Sequence, residues 1–174
     1  LRNQFDAGFH YDSAKAMYTA YVDELYQLDQ AYRLFNEHVQ ALFNKGAEIL
    51  RQLDDAIESL YTIWYLTEIG TAWDSLVGKE NLLETWRLEE INNQYQFYDK
   101  EVLPRLASKT TKRVFVIISD AMRYEVAQEL TASISKEKRF TTELSSQLGV
   151  LPSYTQLGMA SLLPHSELSY QPKK

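Results

Sequence analysis

The chain contains no cysteine and only three histidines. A disulfide framework and a thiolate metal site are both excluded, and a reducing compartment fits. No apolar run approaches the ~20 residues that a membrane-spanning helix needs. The opening residues show no signal-peptide pattern. The first part of the chain is poor in basic residues. Residues 1–100 carry 8 basic and 17 acidic side chains, a net of −9, whereas residues 101–174 carry 10 and 7, a net of +3. The acidic part is therefore a poor grip for the phosphates of a nucleic acid, while the basic part leaves an anionic substrate open.

What is present is ordinary globular composition. The 174 residues are 45% hydrophobic and 24% charged, enough for one compact domain or two small ones. Residue 1 is Leu rather than Met, and the final "QPKK" follows a motif-rich segment without an obvious stop. The expectation is a fragment of a longer protein.

Two long helices dominate the first part. From Ser13 to about Asn44, apolar or aromatic residues fall at Tyr18, Tyr21, Leu25, Leu28, Tyr32, Phe35, Val39 and Leu42. The spacing alternates three and four, a heptad-type seam, with Asp12 or Ser13 as its cap. Lys45-Gly46 reads as an interruption. A second helix is expected from about Ala47 to Gly70, with Leu50, Leu53, Ile57, Leu60 and Trp64 as its stripe. Gly70, Gly78 and the "VGKEN" segment should loosen the chain there. A third, less regular helical pattern covers about Asn92–Leu106. These helices can pair into an antiparallel bundle. Most of the twelve tyrosines lie before residue 100 and follow the seams, which suits rings buried at the core edge with hydroxyls near water.

"ASKTTKR", Ala107–Arg113, reads as a linker, and the period then changes. Val114–Ile118, "VFVII", is continuously apolar and rich in β-branched residues, as for a parallel strand buried on both faces. Ala121–Ile134 is helical, with Met122, Val126, Leu130 and Ile134 about four apart. Phe140–Leu148 alternates with period two, as a strand does. Thr155–Leu163 forms a short helix between Pro152 and Pro164. The expected fold class is α/β: a helical bundle region over residues 1–108, then the truncated start of an α/β domain over 109–174.

Two corners of that second region carry chemistry. Ligands gather at the carboxyl ends of strands in open α/β sheets, and Asp120 is expected at such an end. It reads either as a cap of the next helix, a role Ser119 could share, or as an oxygen ligand for a hard cation. The two roles are compatible. At the second corner, Ser153-Tyr154-Thr155-Gln156 has the S-x-x-Q form of a capping box. With Ser153 as N-cap, Thr155 lies in the first turn, where amides point outward and the dipole favours anions. Thr155 reads either as an ordinary early helix residue or as a hydroxyl nucleophile that attacks phosphorus. Ser153 is the rival nucleophile, with its oxygen engaged in capping.

Together, "VFVIISDAMRYEVAQEL" and "LGVLPSYTQLGMASLLPH" closely resemble the start of the PglZ domain, found in phage-defence proteins of the BREX and phage-growth-limitation systems and similar to the alkaline phosphatase superfamily. The resemblance is dense over about Val114–Leu168. It implies that Asp120 binds a divalent metal, often zinc, with magnesium or manganese as alternatives. It implies that Thr155 is the nucleophile and also touches the metals. Arg123 and Glu125 fall in the family's D-x-x-R-x-E pattern, where Arg123 either holds an anionic substrate or braces the domain through an ion pair. The superfamily completes its metal sites with Asp and His ligands far downstream. Here His10 and His38 belong to the helical region, and His165 suits a loop or helix-end role. One carboxylate and one hydroxyl fall short of a zinc site, so this stretch alone is expected to hold no metal and to be inactive.

The resemblance further implies a cytoplasmic, metal-dependent phosphoesterase working beside other defence proteins, including a DNA methyltransferase. The rival reading is a catalytically inert assembly module that binds such proteins through its helices. Two strands cannot satisfy the edges of a parallel sheet, so the "VFVII" run should be covered by the chain's own helices or by a second copy in a homo-dimer.

Overall fold

The computed structural model describes residues 8–43 and 48–169. It is mostly helical and divides into two compact units, Leu1–Thr85 with Tyr124–Thr142, and Trp86–Arg123 with Glu143–Lys174. The Lys45-Gly46 interruption and the expected start at Ala47 lie outside the described residues.

In the first unit, α1 (Ala14–Ala20), a π-helical segment (Tyr21–Leu25) and α2 (Tyr26–Phe43) follow one another directly. Ser13 caps α1 as expected, its hydroxyl accepting from the Ala16 amide at 3.1 Å. Leu25 and Val39 of the seam are buried, whereas Leu42 at its end is exposed. After a 3-10 turn (Glu48–Leu50) come α3 (Arg51–Glu58), a second π-helical segment (Ser59–Tyr65) and α4 (Leu66–Lys79). Gly70 does not loosen this run, because α4 passes straight through it. The chain turns instead at Asn81, which adopts a left-handed φ of 53°, before α5 (Leu82–Thr85).

The expected stripe on the second helix is corrected by the π turn. Its i→i+5 bonding underwinds the helix and rotates the inward face. Tyr61 and Tyr65 are the buried residues, Trp64 of the expected stripe is half-buried and packs on Phe9 at a ring distance of 5.9 Å, and Leu53 is 48% exposed. Phe9, Leu25, Tyr61 and Tyr65 form the core, with Tyr32 stacked on Tyr61 at a centroid distance of 3.7 Å. The rings of Tyr61 and Tyr65 pack inward as expected, but the hydroxyls of Tyr18 and Tyr65 are buried rather than near water. Both the Tyr61 hydroxyl (2.7 Å) and the Tyr21 hydroxyl donate to the buried carboxylate of Asp29.

α7 (Tyr124–Ser135) completes this unit and lies against α2. It starts three residues later than expected, because Ala121 takes a left-handed φ of 54° that no helix accommodates. Asp120 and Ser119 are therefore not its caps. Tyr124 packs edge-on against Tyr26 at 5.6 Å.

The phenols make the unit sensitive to alkali. The Tyr32 hydroxyl donates to Glu58, which raises its pKa above 10.0, and burial raises that of Tyr124. A folded pKa above the unfolded one keeps its stabilisation below pH 10 and loses it as pH rises through the raised values. The urea midpoint should accordingly fall between about pH 9 and about pH 11, less steeply in Tyr32→Phe. Equal midpoints at both pH values would contradict this.

In the second unit, Gln94–Gln96 (3-10), Tyr98–Val102 (π) and α6 (Leu103–Ala107) form the third helical run, close to its expected bounds. Residues 108–113, after α6 ends at Ala107, lack regular structure beyond a turn at Ser108, and they lie within the second unit rather than linking the two along the chain. The two expected strands are absent: among the described residues no strand forms. Val114–Ile118 is not buried on both faces. Phe115 is 80% and Ile117 91% exposed. A strand gains its stability from neighbours that pair its backbone, and no described segment forms a ladder with this one. Thr142–Leu148 does alternate between sheltered and exposed side chains. Its backbone, however, makes a single parallel bridge, Asn93 to Leu148. α8 (Thr155–Leu162) closes the described chain.

Candidate active site

Asp120 and Thr155 are 35 residues apart in sequence, yet the second unit brings them together. The Thr155 hydroxyl donates to Asp120 Oδ2 at 3.3 Å. Asp120 follows the extended 114–119 segment, and its other oxygen, Oδ1, accepts from the Ala121 amide at 3.0 Å. That bond and the left-handed Ala121 fix the turn that aims the carboxylate.

Thr155 is the first residue of α8. Its predecessor Tyr154 is the N-cap, with extended φ −130° and ψ 154°. The first helical bond runs from the Gly158 amide to the Tyr154 carbonyl at 3.0 Å. The expected Ser153 cap is thus not formed, because the Tyr154 amide turns back onto the Pro152 carbonyl at 3.1 Å and the helix starts one residue later. The Ser153 hydroxyl is not committed to a helix end. Ser153 and Thr155 both line the same cleft, and the bond to Asp120 is made by Thr155.

The cleft measures about 620 Å³. Ser119, Asp120, Ser153 and Thr155 give it a polar edge, and Met122, Met159 and Leu162 an apolar one. The outward-pointing amides at the start of α8 have no intrahelical carbonyl to bond, so the same wall offers hydrogen-bond donors to an anion. Asp120 and Thr155 are both exposed, so water and a phosphate ester reach them.

The other expected positions fall elsewhere. Arg123 is exposed and is not among the residues lining the cleft. Glu125 is fully buried in the first unit, bridged to Arg33. His165 has Nδ1 at 2.7 Å from the Leu163 carbonyl, just beyond the end of α8. His38 is exposed on α2, with Nδ1 at 2.5 Å from the Leu34 carbonyl, and His10 is exposed near the start of the chain.

The oxygens of Asp120 and Thr155 suit a hard divalent cation in kind. In number they fall short, and among the described residues no group of three or more His, Asp or Glu is placed to hold a metal ion. No described helix is long and apolar enough to cross a membrane.

One feature escaped the sequence reading. Asn93-Gln94-Tyr95-Gln96 is an N-x-x-Q box of the kind sought at Ser153. The Gln96 side chain accepts from the Asn93 amide at 2.9 Å, and Asn93 Nδ2 donates to the Trp86 carbonyl at 2.7 Å. The same pattern search, applied at Asn93, would have found it.

The chain is similar to known proteins over most of its length. Residues 97–174 match the family described as the BREX system PglZ alkaline phosphatase-like domain. An alkaline phosphatase-like protein BrxZ of Escherichia coli O9:H4 (strain HS) is 54% identical over 172 residues, covering 99% of this chain and 20% of that protein. An alkaline phosphatase-like protein PglZ of Bacillus cereus (strain H3081.97) is 37% identical over 155 residues, covering 88% of this chain and 17% of that protein. The chain thus spans about a fifth of the length of these curated relatives. No solved structure matches it. Residues 97–174 thus carry a match to the BREX system PglZ alkaline phosphatase-like domain, and the helices before them are similar to the same relatives.

Proposed function

We propose that this chain contributes the nucleophile corner of a cytoplasmic, metal-dependent phosphoesterase, a phosphatase or nuclease, in BREX-type phage defence. The observation that carries the reading is the Thr155 hydroxyl bonded to Asp120 in an open cleft at the start of α8. In this reading residues 109–174 open the catalytic α/β domain and residues 1–108 form the helical region before it. The run Val114–Ile118 becomes a strand when the remainder of the sheet, or a second copy, pairs it.

Asp120 accepts the Thr155 hydroxyl proton's hydrogen bond and orients the oxygen lone pairs toward phosphorus. The first amides of α8 hold a phosphate oxygen; Arg123 lies outside the cleft lining and takes no part in this step. Thr155 Oγ1 bonds to phosphorus as the ester P–O bond breaks; the hydroxyl proton passes to the Asp120 carboxylate that it faces, and the leaving oxygen takes a proton from water. Water then attacks the phosphothreonine and releases phosphate or a phosphate monoester. Asp120 and Thr155 would supply two oxygen ligands to a divalent cation, zinc, magnesium or manganese, which would contribute charge neutralisation and a lowered hydroxyl pKa once further ligands completed its site. The test is hydrolysis of chromogenic phosphate mono- and diesters by the full-length protein with each metal. Absence of turnover with all three, in folded protein, would sink the reading.

A second reading, an assembly module acting through the helices, is favoured by one observation. Ile49 (90%), Leu53, Ile63 (69%) and Leu66 are exposed along the run 48–79. Residues 52–78 of that run carry five carboxylates and no basic side chain. An apolar row on an acidic helix fits an amphipathic helix with Lys or Arg flanks, supplied by another defence protein such as a DNA methyltransferase. A synthetic amphipathic peptide with lysine flanks should bind at least about tenfold more weakly to Ile49→Asp/Ile63→Asp, and more weakly in high salt. A doubled light-scattering mass abolished by the same substitutions would assign the row to a second copy of this chain instead.

A further inference from the structure

Gln94 also lines the cleft. Its carboxamide makes two bonds of opposite sense. Nε2 donates to the Gly158 carbonyl at 3.0 Å, and Oε1 accepts from the Val150 amide at 3.1 Å. Val150 opens the loop that leads to Thr155. Gly158 closes the first turn of the helix that Thr155 begins. One side chain therefore clamps the nucleophile corner from both ends.

Its neighbours hold the same loop. The Gln94 amide donates to the Leu148 carbonyl at 2.8 Å, and the Leu148 amide to the Asn92 carbonyl at 2.7 Å. Trp86 Nε1 donates to the Gly149 carbonyl at 2.7 Å. Residues 148–150 are thus pinned one after another, and Gln94 is the one that also reaches α8. A carboxamide suits this double role because it carries donor and acceptor side by side, whereas an ionised carboxylate only accepts.

We propose that Gln94 is a positioning residue that sets the Thr155 hydroxyl against Asp120. The proposal rests on the reading of Thr155 as the nucleophile, and a misplacement of ~1 Å at a reacting group can cost about 10²-fold. Gln94 acts through Val150 and Gly158, not on the substrate.

The experiment uses the full-length protein and two variants, with hydrolysis of a chromogenic phosphate monoester measured across pH and amide exchange measured over residues 150–158. Gln94→Met keeps the bulk and loses both bonds. Its kcat should fall by about tenfold or more at every pH, with KM within about threefold. Gln94→Glu keeps the acceptor and places a carboxylate against the Gly158 carbonyl. Its kcat, relative to the parent protein at each pH, should be low when the new carboxyl is ionised. It should recover as pH falls toward about 4.3, where a protonated carboxyl donates again. A role in overall folding alone would not produce that selective recovery. The Val150 and Gly158 amides should exchange faster in Gln94→Met, and at the parent rate in Thr155→Ala. Parent kcat and unchanged exchange in Gln94→Met would overturn the proposal. If the parent protein hydrolyses nothing, the nucleophile reading falls by itself. Exchange at Val150 and Gly158 then still decides whether Gln94 is the clamp.

Discussion

Thr155→Ala should lower metal-dependent phosphate ester hydrolysis by the full-length protein at least about 10³-fold, while Ser153→Ala should keep it within about tenfold. The asymmetry follows from the geometry. Both hydroxyls line one cleft, and neither is set apart by a capping role, since Tyr154 is the N-cap of α8. What separates them is the 3.3 Å bond from Thr155 to Asp120 and the position of Thr155 at the head of the helix. Removing a nucleophile deletes a covalent route that no neighbour replaces. Asp120→Asn keeps the shape and a hydrogen-bond acceptor but removes the charge, so a loss of about 10²–10³-fold is expected. The 174-residue chain alone should show no turnover, because it offers two oxygens where a metal site needs three or more protein ligands. If Ser153→Ala were the silent enzyme and Thr155→Ala the active one, the corner would be right and the nucleophile wrong. Equal activity in both would move the chemistry out of this cleft.

Glu125→Ala should destabilise the protein by about 3 kcal/mol, the cost of breaking a buried ion pair. Glu125 is 0% exposed. Both of its oxygens lie 3.0 Å from Arg33 Nε, and Arg33 Nη2 is 3.0 Å from Oε2. Arg33 also bonds Glu129 and approaches Glu37 at 3.9 Å. The Arg33 side chain is 29% exposed, so water recovers part of its solvation, which keeps the estimate at the low end of the range. For a chain of this size the melting temperature should drop by roughly 6–12 °C. Glu125→Gln retains an acceptor for Arg33 and should lose less. Pairing Glu125→Met with Arg33→Met should recover much of the loss, since a packed apolar pair avoids the desolvation of both charges. A drop below about 1 kcal/mol in Glu125→Ala would show that the pair contributes little. The same substitution tests one position of the D-x-x-R-x-E pattern. Its glutamate braces α7 against α2, so Glu125→Ala should act on stability, and on activity only through it.

The sequence by itself determined the helices and the two chemical corners. The Tyr18–Val39 seam, the Ser13 cap, the third helical run and the start of α8 at Thr155 are all legible. Helical hydrogen bonds join residues three to five apart, so spacing, caps and turn residues carry most of the information. The pairing of Asp120 with Thr155 was legible only as a likeness to a family motif. Tertiary structure decided the rest. Whether "VFVII" is a strand depends on partners for its backbone, and no described segment provides a ladder, so Phe115 and Ile117 stand exposed. The underwound turn at Ser59–Tyr65 set Tyr61 and Tyr65 at the centre of the core, with Trp64 of the expected stripe packed at its edge. Arg33 meets Glu125 across 92 residues, and Gln94 meets Gly158 across 64. Such contacts are set by how helices and loops pack, and no local periodicity records them. That is why Asp120 and Thr155 could be singled out as candidates from the sequence, while the side chains that hold their loop and helix in place could not.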